Sequence, residues 1–183
     1  MFETKAPAKT TAVKATRMAM KVRSTVKSTY TWAAQAKAEG QPIAYTMIDS
    51  QYDEIIRAMG IVPIWTENYA GLCAAKRDAE RFLVRSEAEG YSNVLCSYAR
   101  TGIGFDSLRR EIGEIPPNSP DGGMAMPDML LGSSAICDSR YKWYQALGRY
   151  MNIPTYNIDV VTPPVDADLT EVADYYINYQ LSS

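Results

Sequence analysis

Cys73, Cys96 and Cys137 are the only thiols of this 183-residue chain, and it has no histidine. Serine and cysteine catalysis through a His base, His-containing zinc sites and imidazole acid–base work are therefore excluded within it. Thiolate and carboxylate chemistry remain. Cys96 stands before Ser97-Tyr98-Ala99-Arg100 and Cys137 before Asp138, each at the start of an expected helix. Unpaired backbone N–H groups at a helix N-terminus favour thiolate over thiol. Thiolates select soft metals, zinc and iron–sulfur clusters foremost. The chain has no Cys-x-x-Cys pair of the zinc-ribbon kind, and 41 residues separate Cys96 from Cys137, so only the fold can bring them together. The competing account is that free cysteines simply fill a core.

Cys73 lies in Tyr69-Ala70-Gly71-Leu72-Cys73-Ala74-Ala75, whose small residues allow close packing. A structural thiol is the favoured reading there, and a third metal ligand the sharper alternative. Glu67 and Asn68 end a strand candidate. Glu67 is a candidate proton carrier, and Asn68 has the plainer role of a helix cap. Gly102-Ile103-Gly104 lacks the third glycine of a dinucleotide loop and falls inside an expected helix, and no Gly-x-x-x-x-Gly-Lys phosphate loop occurs.

The elements that must position these residues follow from the apolar pattern. Met18, Val22, Val26, Tyr30 and Ala33 form one helical stripe, stopped by Gly40 and Pro42. A strand is expected over 42–48. Asp49 and Ser50 offer an N-cap for a helix through Ile55, Ile56 and Met59, closed by Gly60. A second strand covers 61–65, its Pro63 favouring an end or an edge. A helix over 69–89, a short strand at 94–96 and a helix over 98–112 come next, then a Pro- and Gly-rich loop over 113–127. A strand at 129–131, a helix over 138–151, a strand at 154–158 and a helix over 169–181 complete the chain.

Strands alternating with helices predict an α/β fold, an open, doubly wound, Rossmann-like parallel sheet with right-handed crossovers and an N-terminal helical arm. Ligands bind such sheets beyond the carboxyl ends of the strands. The expected five strands place Cys96 and Cys137 at two neighbouring mouths of one crevice.

The length suits one domain by the usual prior of roughly 100–200 residues. With 46% apolar and 22% charged residues, the chain buries a real core. Three cysteines are too few for a disulfide scaffold, so a reduced, cytoplasmic protein is expected. Charge is uneven. Residues 1–40 form a basic arm with eight Lys/Arg against two acids, whereas 151–183 hold five acids and no base. The arm lacks interleaved aromatics before Tyr30 and Trp32, so a solvated face beside an acidic body or partner is preferred to a nucleic-acid contact. No apolar run is long enough for a membrane span or a secretory signal.

Three stretches together have a familiar wording: Thr66-Glu67-Asn68-Tyr69-Ala70-Gly71-Leu72-Cys73-Ala74-Ala75, then Glu89-Gly90-Tyr91-Ser92, then Leu95-Cys96-Ser97-Tyr98-Ala99-Arg100-Thr101-Gly102-Ile103-Gly104. Pro127-Asp128-Met129-Leu130-Leu131, Cys137-Asp138, Lys142-Trp143 and Ile153-Pro154 leading to Asp159 continue it. From about residue 42 onward the chain resembles the benzoyl-CoA reductase and 2-hydroxyacyl-CoA dehydratase family.

The resemblance implies an oxygen-sensitive [4Fe–4S] subunit whose cluster is held by three cysteines, with one iron open to water or substrate. By motif position Cys96 and Cys137 are the first two ligands. The third belongs to a second α/β domain absent from this sequence, supplied by a longer chain or by another polypeptide, unless Cys73 substitutes for it. A fragment is the favoured account, with 1–40 as the arm and 41–183 as the cluster domain. The implied partners are a homologous or identical iron–sulfur subunit, an ATP-hydrolysing iron–sulfur activator that delivers low-potential electrons, and an acyl-CoA substrate reduced through a ketyl-type radical anion. The wording around Glu67 and Cys96 favours a benzoyl-CoA reductase-like enzyme. A 2-hydroxyacyl-CoA dehydratase subunit and a cluster-free assembly protein are the alternatives.

Overall fold

Alternation along four short strands decides which residues enter which layer. The computed structural model describes residues 16–48, 53–160 and 162–182. Strands β1 (Ile43–Thr46), β2 (Val62–Trp65), β3 (Met129–Ser133) and β4 (Thr155–Ile158) form one parallel sheet in the order β2-β1-β3-β4. Ile43, Tyr45, Val62, Ile64 and Leu130 point into a large core, while Ala44 and Leu131 enter a smaller cluster with Ile56 and Ile61 on the opposite face. Pro63 lies on edge strand β2, where its missing N–H costs least, as the sequence predicts.

The helices divide unequally between the faces. Helix α2 (Asp53–Ala58) supplies Ile56 to the smaller cluster. Helices α3 (Thr66–Ala75), α4 (Ala79–Ala88), α5 (Ser97–Ile112) and α6 (Asp138–Met151) build the larger core. Helix α1 (Arg17–Ala38), capped by Thr16 Oγ1 accepting from Ala19 N at 3.1 Å, adds Tyr30, Ala33 and Ala36. Tyr30, Tyr69, Phe105 and Phe82 meet edge to face in series, with centroids 5.1–5.4 Å apart. Helix α7 (Leu169–Ser182) follows β4. From β1 the chain goes outward to β2, then crosses back to β3, so the strand order reverses between β1 and β3.

Two expectations are corrected. The helix expected over 69–89 is two helices, because Arg77 turns to φ 58° and Asp78 N bonds back to Cys73 O at 2.8 Å. A non-glycine residue in that region ends a helix as glycine does. The strand expected at 94–96 does not form, so the sheet has four strands. Leu95 N donates to Ser92 O in a turn, and Val94 is 86% exposed. Three apolar residues with no neighbouring ladder have nothing to hold them extended. The N-cap assigned to Asp49 and Ser50 lies outside the described residues.

Candidate functional site

Cys96 is the N-cap of α5 and Cys137 the N-cap of α6, and neither side chain bonds to its own helix. Both thiols are free and exposed. Each carbonyl starts its helix: Cys96 O accepts from Arg100 N at 3.0 Å, and Cys137 O from Arg140 N at 3.2 Å. The two helix starts share a cavity of about 140 Å³ whose lining includes Cys96, Leu95, Asp138, Ser139, Lys142 and Trp143. Cys96 follows a turn rather than the strand expected before it, while both cysteines stand at helix starts as expected. A larger cavity of about 500 Å³, lined by Lys37, Asp106, Arg109, Met126 and Met151 among others, includes none of the three cysteines.

Two glycines of α5 let its neighbours approach, Gly102 facing α6 and Gly104 facing α4. A Cβ on Gly102 would lie 2.0 Å from Trp143 Cζ2, and one on Gly104 would lie 1.8 Å from the Phe82 carbonyl oxygen. The missing side chains let α6 and α4 approach α5 closely. Gly102-Ile103-Gly104 is therefore a packing device, in which Gly102 lets α6 lie close to α5 and Gly104 does the same for α4. The signal was visible as two glycines inside a helical pattern, which asks for a packing reason.

Glu67 occupies the first turn of α3 and is tied down on two sides. Its Oε2 accepts from Ile48 N at 3.0 Å and lies 3.0 Å from Arg140 Nη2. Arg140 is buried in the first turn of α6, where Nη2 also donates to Ile48 O and Nε lies 3.2 Å from Met47 Sδ. Thr66 Oγ1 and Tyr144 OH, 2.9 Å apart, make a second buried link between α3 and α6. On the Cys96 side, Arg100 pairs with Glu87 and donates from Nη1 to Asn93 O at 2.9 Å, pinning the preceding turn to α5. Sequence reasoning missed Arg140 and Arg100. A buried arginine one turn into a helix shows its purpose only when its partners, distant in sequence, are placed.

Cys73 is fully buried in the aromatic core beside Tyr30, Tyr69 and Phe82. Burial pushes its thiol up to about 12. This is the environment of a packed thiol, the role favoured for it above.

A thiolate-bound iron–sulfur cluster fits Cys96 and Cys137 in donor chemistry, exposure and position at helix N-termini. Among the described residues no group of three Cys, Asp, Glu or His side chains is placed to hold a metal ion. The described residues thus present two exposed thiols and no complete ligand set.

Fold and site define an α/β domain with a thiol at each of two neighbouring helix starts. Its residues 52–181 match the family described as 2-hydroxyglutaryl-CoA dehydratase, D-component, and the chain belongs to that family. It is 30% identical over 128 residues to the (R)-phenyllactyl-CoA dehydratase alpha subunit of Clostridium sporogenes, covering 70% of this chain and 29% of that protein. It is 30% identical over 134 residues to the lactoyl-CoA dehydratase alpha subunit of Anaerotignum propionicum, covering 70% and 32%. A benzoyl-CoA reductase subunit of Thauera aromatica is 25% identical over 141 residues, covering 77% and 31%. The match spans about a third of the length of these relatives. The two dehydratase subunits have the higher identities of the three.

Proposed function

We propose that this chain is the first cluster-binding domain of a 2-hydroxyacyl-CoA dehydratase-like enzyme, with Cys96 and Cys137 supplying two thiolate ligands to a [4Fe–4S] cluster. One observation carries the reading: within the family match, both cysteines cap helices that open on one cavity, with their side chains left unused by the helices. A bound cluster would supply one-electron chemistry to an acyl thioester. The chain's own part is to hold two ligands, set the close approach of α5 and α6 through Gly102, and orient α6 through Arg140. The third ligand and much of the substrate surface belong to a further domain, on the same or another polypeptide. Electrons come from a separate ATP-hydrolysing iron–sulfur protein. Glu67, already held by Arg140, acts in orienting α6.

The test is iron, acid-labile sulfide and EPR on protein isolated and reconstituted without oxygen, together with whatever subunits co-purify. Wild type and Cys73→Ser retain the cluster, whereas Cys96→Ser and Cys137→Ser lose it. A cluster undiminished in the Cys96→Ser/Cys137→Ser double variant, or none in wild type, overturns the assignment. Loaded protein supplied with reductant and either a 2-hydroxyacyl-CoA or benzoyl-CoA separates dehydration from ring reduction. Turnover of benzoyl-CoA alone would return the reading to the reductase.

A further inference from the structure

The cavity of about 500 Å³ lies at the far end of α5 and α6 from the cysteines. Arg109 and Arg110 at the end of α5, Tyr150 and Met151 at the end of α6, and Ala34 and Lys37 in the last turns of α1 line it. Cys96 and Cys137 cap the opposite ends of α5 and α6, about 20 Å of helix away. The size falls in the range of small-molecule sites, roughly 300–1,000 Å³. Its walls are largely apolar, with Ile115, Ala125, Met126 and Met151 joining Ala34. The two methionines give the walls an adaptable shape.

One polar valence in this lining is open. Asp106 is 2% exposed, and its Oδ1 accepts from Arg109 Nη2 at 2.5 Å and from Tyr45 OH at 3.4 Å. Its Oδ2 is buried and has no partner among the described residues. A buried carboxylate oxygen without a donor is costly, so a donor from outside the chain gains there more than at the surface. The cations of the lining are already engaged. Arg109 also donates to Met124 O at 3.0 Å, and Lys37 pairs with Asp128 at 2.7 Å. Arg110 stacks 4.0 Å over the Tyr150 ring and donates to Tyr150 O at 3.2 Å. Asp106 offsets Arg109, Asp128 offsets Lys37, and Glu114, also in the lining, offsets Arg110. No net charge is left to balance an ionic ligand.

We propose that this cavity binds an uncharged organic molecule with an apolar body and one hydroxyl group, whose O–H donates to Asp106 Oδ2. The apolar walls supply the attraction, and the open carboxylate oxygen sets orientation and selects a donor over a pure acceptor. The balanced charges of the lining disfavour both an anion and a cation, since either would lose its hydration without a free counter-charge. This inference is independent of cluster binding, because none of the three cysteines lines the cavity.

Equilibrium dialysis of the full chain against 2-phenylethanol tests it, at pH 8, where Asp106, raised by burial to about 6, is a carboxylate. Saturable binding at one site per chain is expected, about tenfold tighter than for the methyl ether of the same alcohol, which has no O–H to donate. The cation 2-phenylethylamine and the anion 3-phenylpropionate each bind more weakly than the alcohol. Ala34→Trp, at an exposed position of the wall, fills the cavity and abolishes binding while circular dichroism stays as in wild type. In Asp106→Asn, Arg109 and Tyr45 keep the amide oxygen in the place of Oδ1, so an N–H donor replaces Oδ2 and the preference for the alcohol disappears. Should that variant fail to fold, the order of the four probes on wild type and the Ala34→Trp result still decide. The proposal is overturned by an absence of saturable binding, which would leave the cavity to water, or by equal binding of alcohol and ether. Tighter binding of either ion, binding undiminished in Ala34→Trp, or an alcohol preference that survives in folded Asp106→Asn overturns it as well.

Discussion

Arg140 Nη2 lies 3.0 Å from Glu67 Oε2, joining the first turn of α6 to the first turn of α3 beside the end of β1. Cys137, three residues before Arg140, caps the same helix, so this ion pair anchors the turn that presents the thiol. A guanidinium this buried holds its place only with its partners present. A double-mutant cycle with Arg140→Met and Glu67→Gln should give a coupling of about 0.5–3 kcal/mol. Hydrogen exchange in the first turn of α6 should rise in each single variant. Additive effects with unchanged exchange would show that the pair does not anchor this turn.

Thiol accessibility divides the cysteines two to one. Cys96 and Cys137 are exposed, whereas Cys73 is buried and its thiol is pushed up to about 12. Titration of the reduced, cluster-free protein at neutral pH with an aromatic disulfide should count two fast thiols, and the third only after denaturant is added. Three fast thiols would contradict the placement of Cys73.

The glycine pair in α5 predicts a graded response. Gly104→Ala forces a methyl group against the backbone carbonyl of Phe82, and Gly102→Ala against the Trp143 ring. Overpacking of this kind costs about 1–3 kcal/mol, and more where nothing can yield. Gly104→Ala should therefore be the more destabilising, because a backbone carbonyl yields less than a side chain. Urea denaturation ranks the two, and Gly102→Ala should also change the near-ultraviolet dichroism from Trp143.

Asp106 gives stability a pH dependence. Burial raises its carboxyl to about 6, against the pull of Arg109 beside it. In the unfolded chain an aspartate titrates near about 3.9. Between those values the folded state binds more protons than the unfolded state, so this residue's contribution is complete below about 4 and fades as pH rises through about 6. Asp106→Asn should flatten that part of the stability–pH curve, and an unchanged slope would assign it to other groups.

Much of the fold was legible because its signals are local. Periodicity marked α1, α5, α6 and α7. Short apolar runs marked the four strands, and Pro63 correctly indicated an edge. The candidate thiols were legible too, since cysteine before a helix start is a matter of residue type and position. The break at Arg77 was not legible, because a non-glycine residue with positive φ leaves no compositional mark. The missing strand at 94–96 shows the same limit, since a three-residue apolar run does not reveal whether a neighbour waits to pair with it.

Sequence alone therefore determined which side chains are candidates for chemistry here, thiols without histidine, and the α/β class that presents them. Only the tertiary structure decided that Cys96 and the first residues of α6, Asp138 and Ser139, line one cavity, that Cys73 belongs to the core, and that Glu67 is held by Arg140. The reason is physical. Residue type and helix period act over a few neighbours, whereas the two cysteine-capped helix starts and the Glu67–Arg140 pair join positions 41 and 73 residues apart and exist only once the helices have packed, α6 against α5 at Gly102.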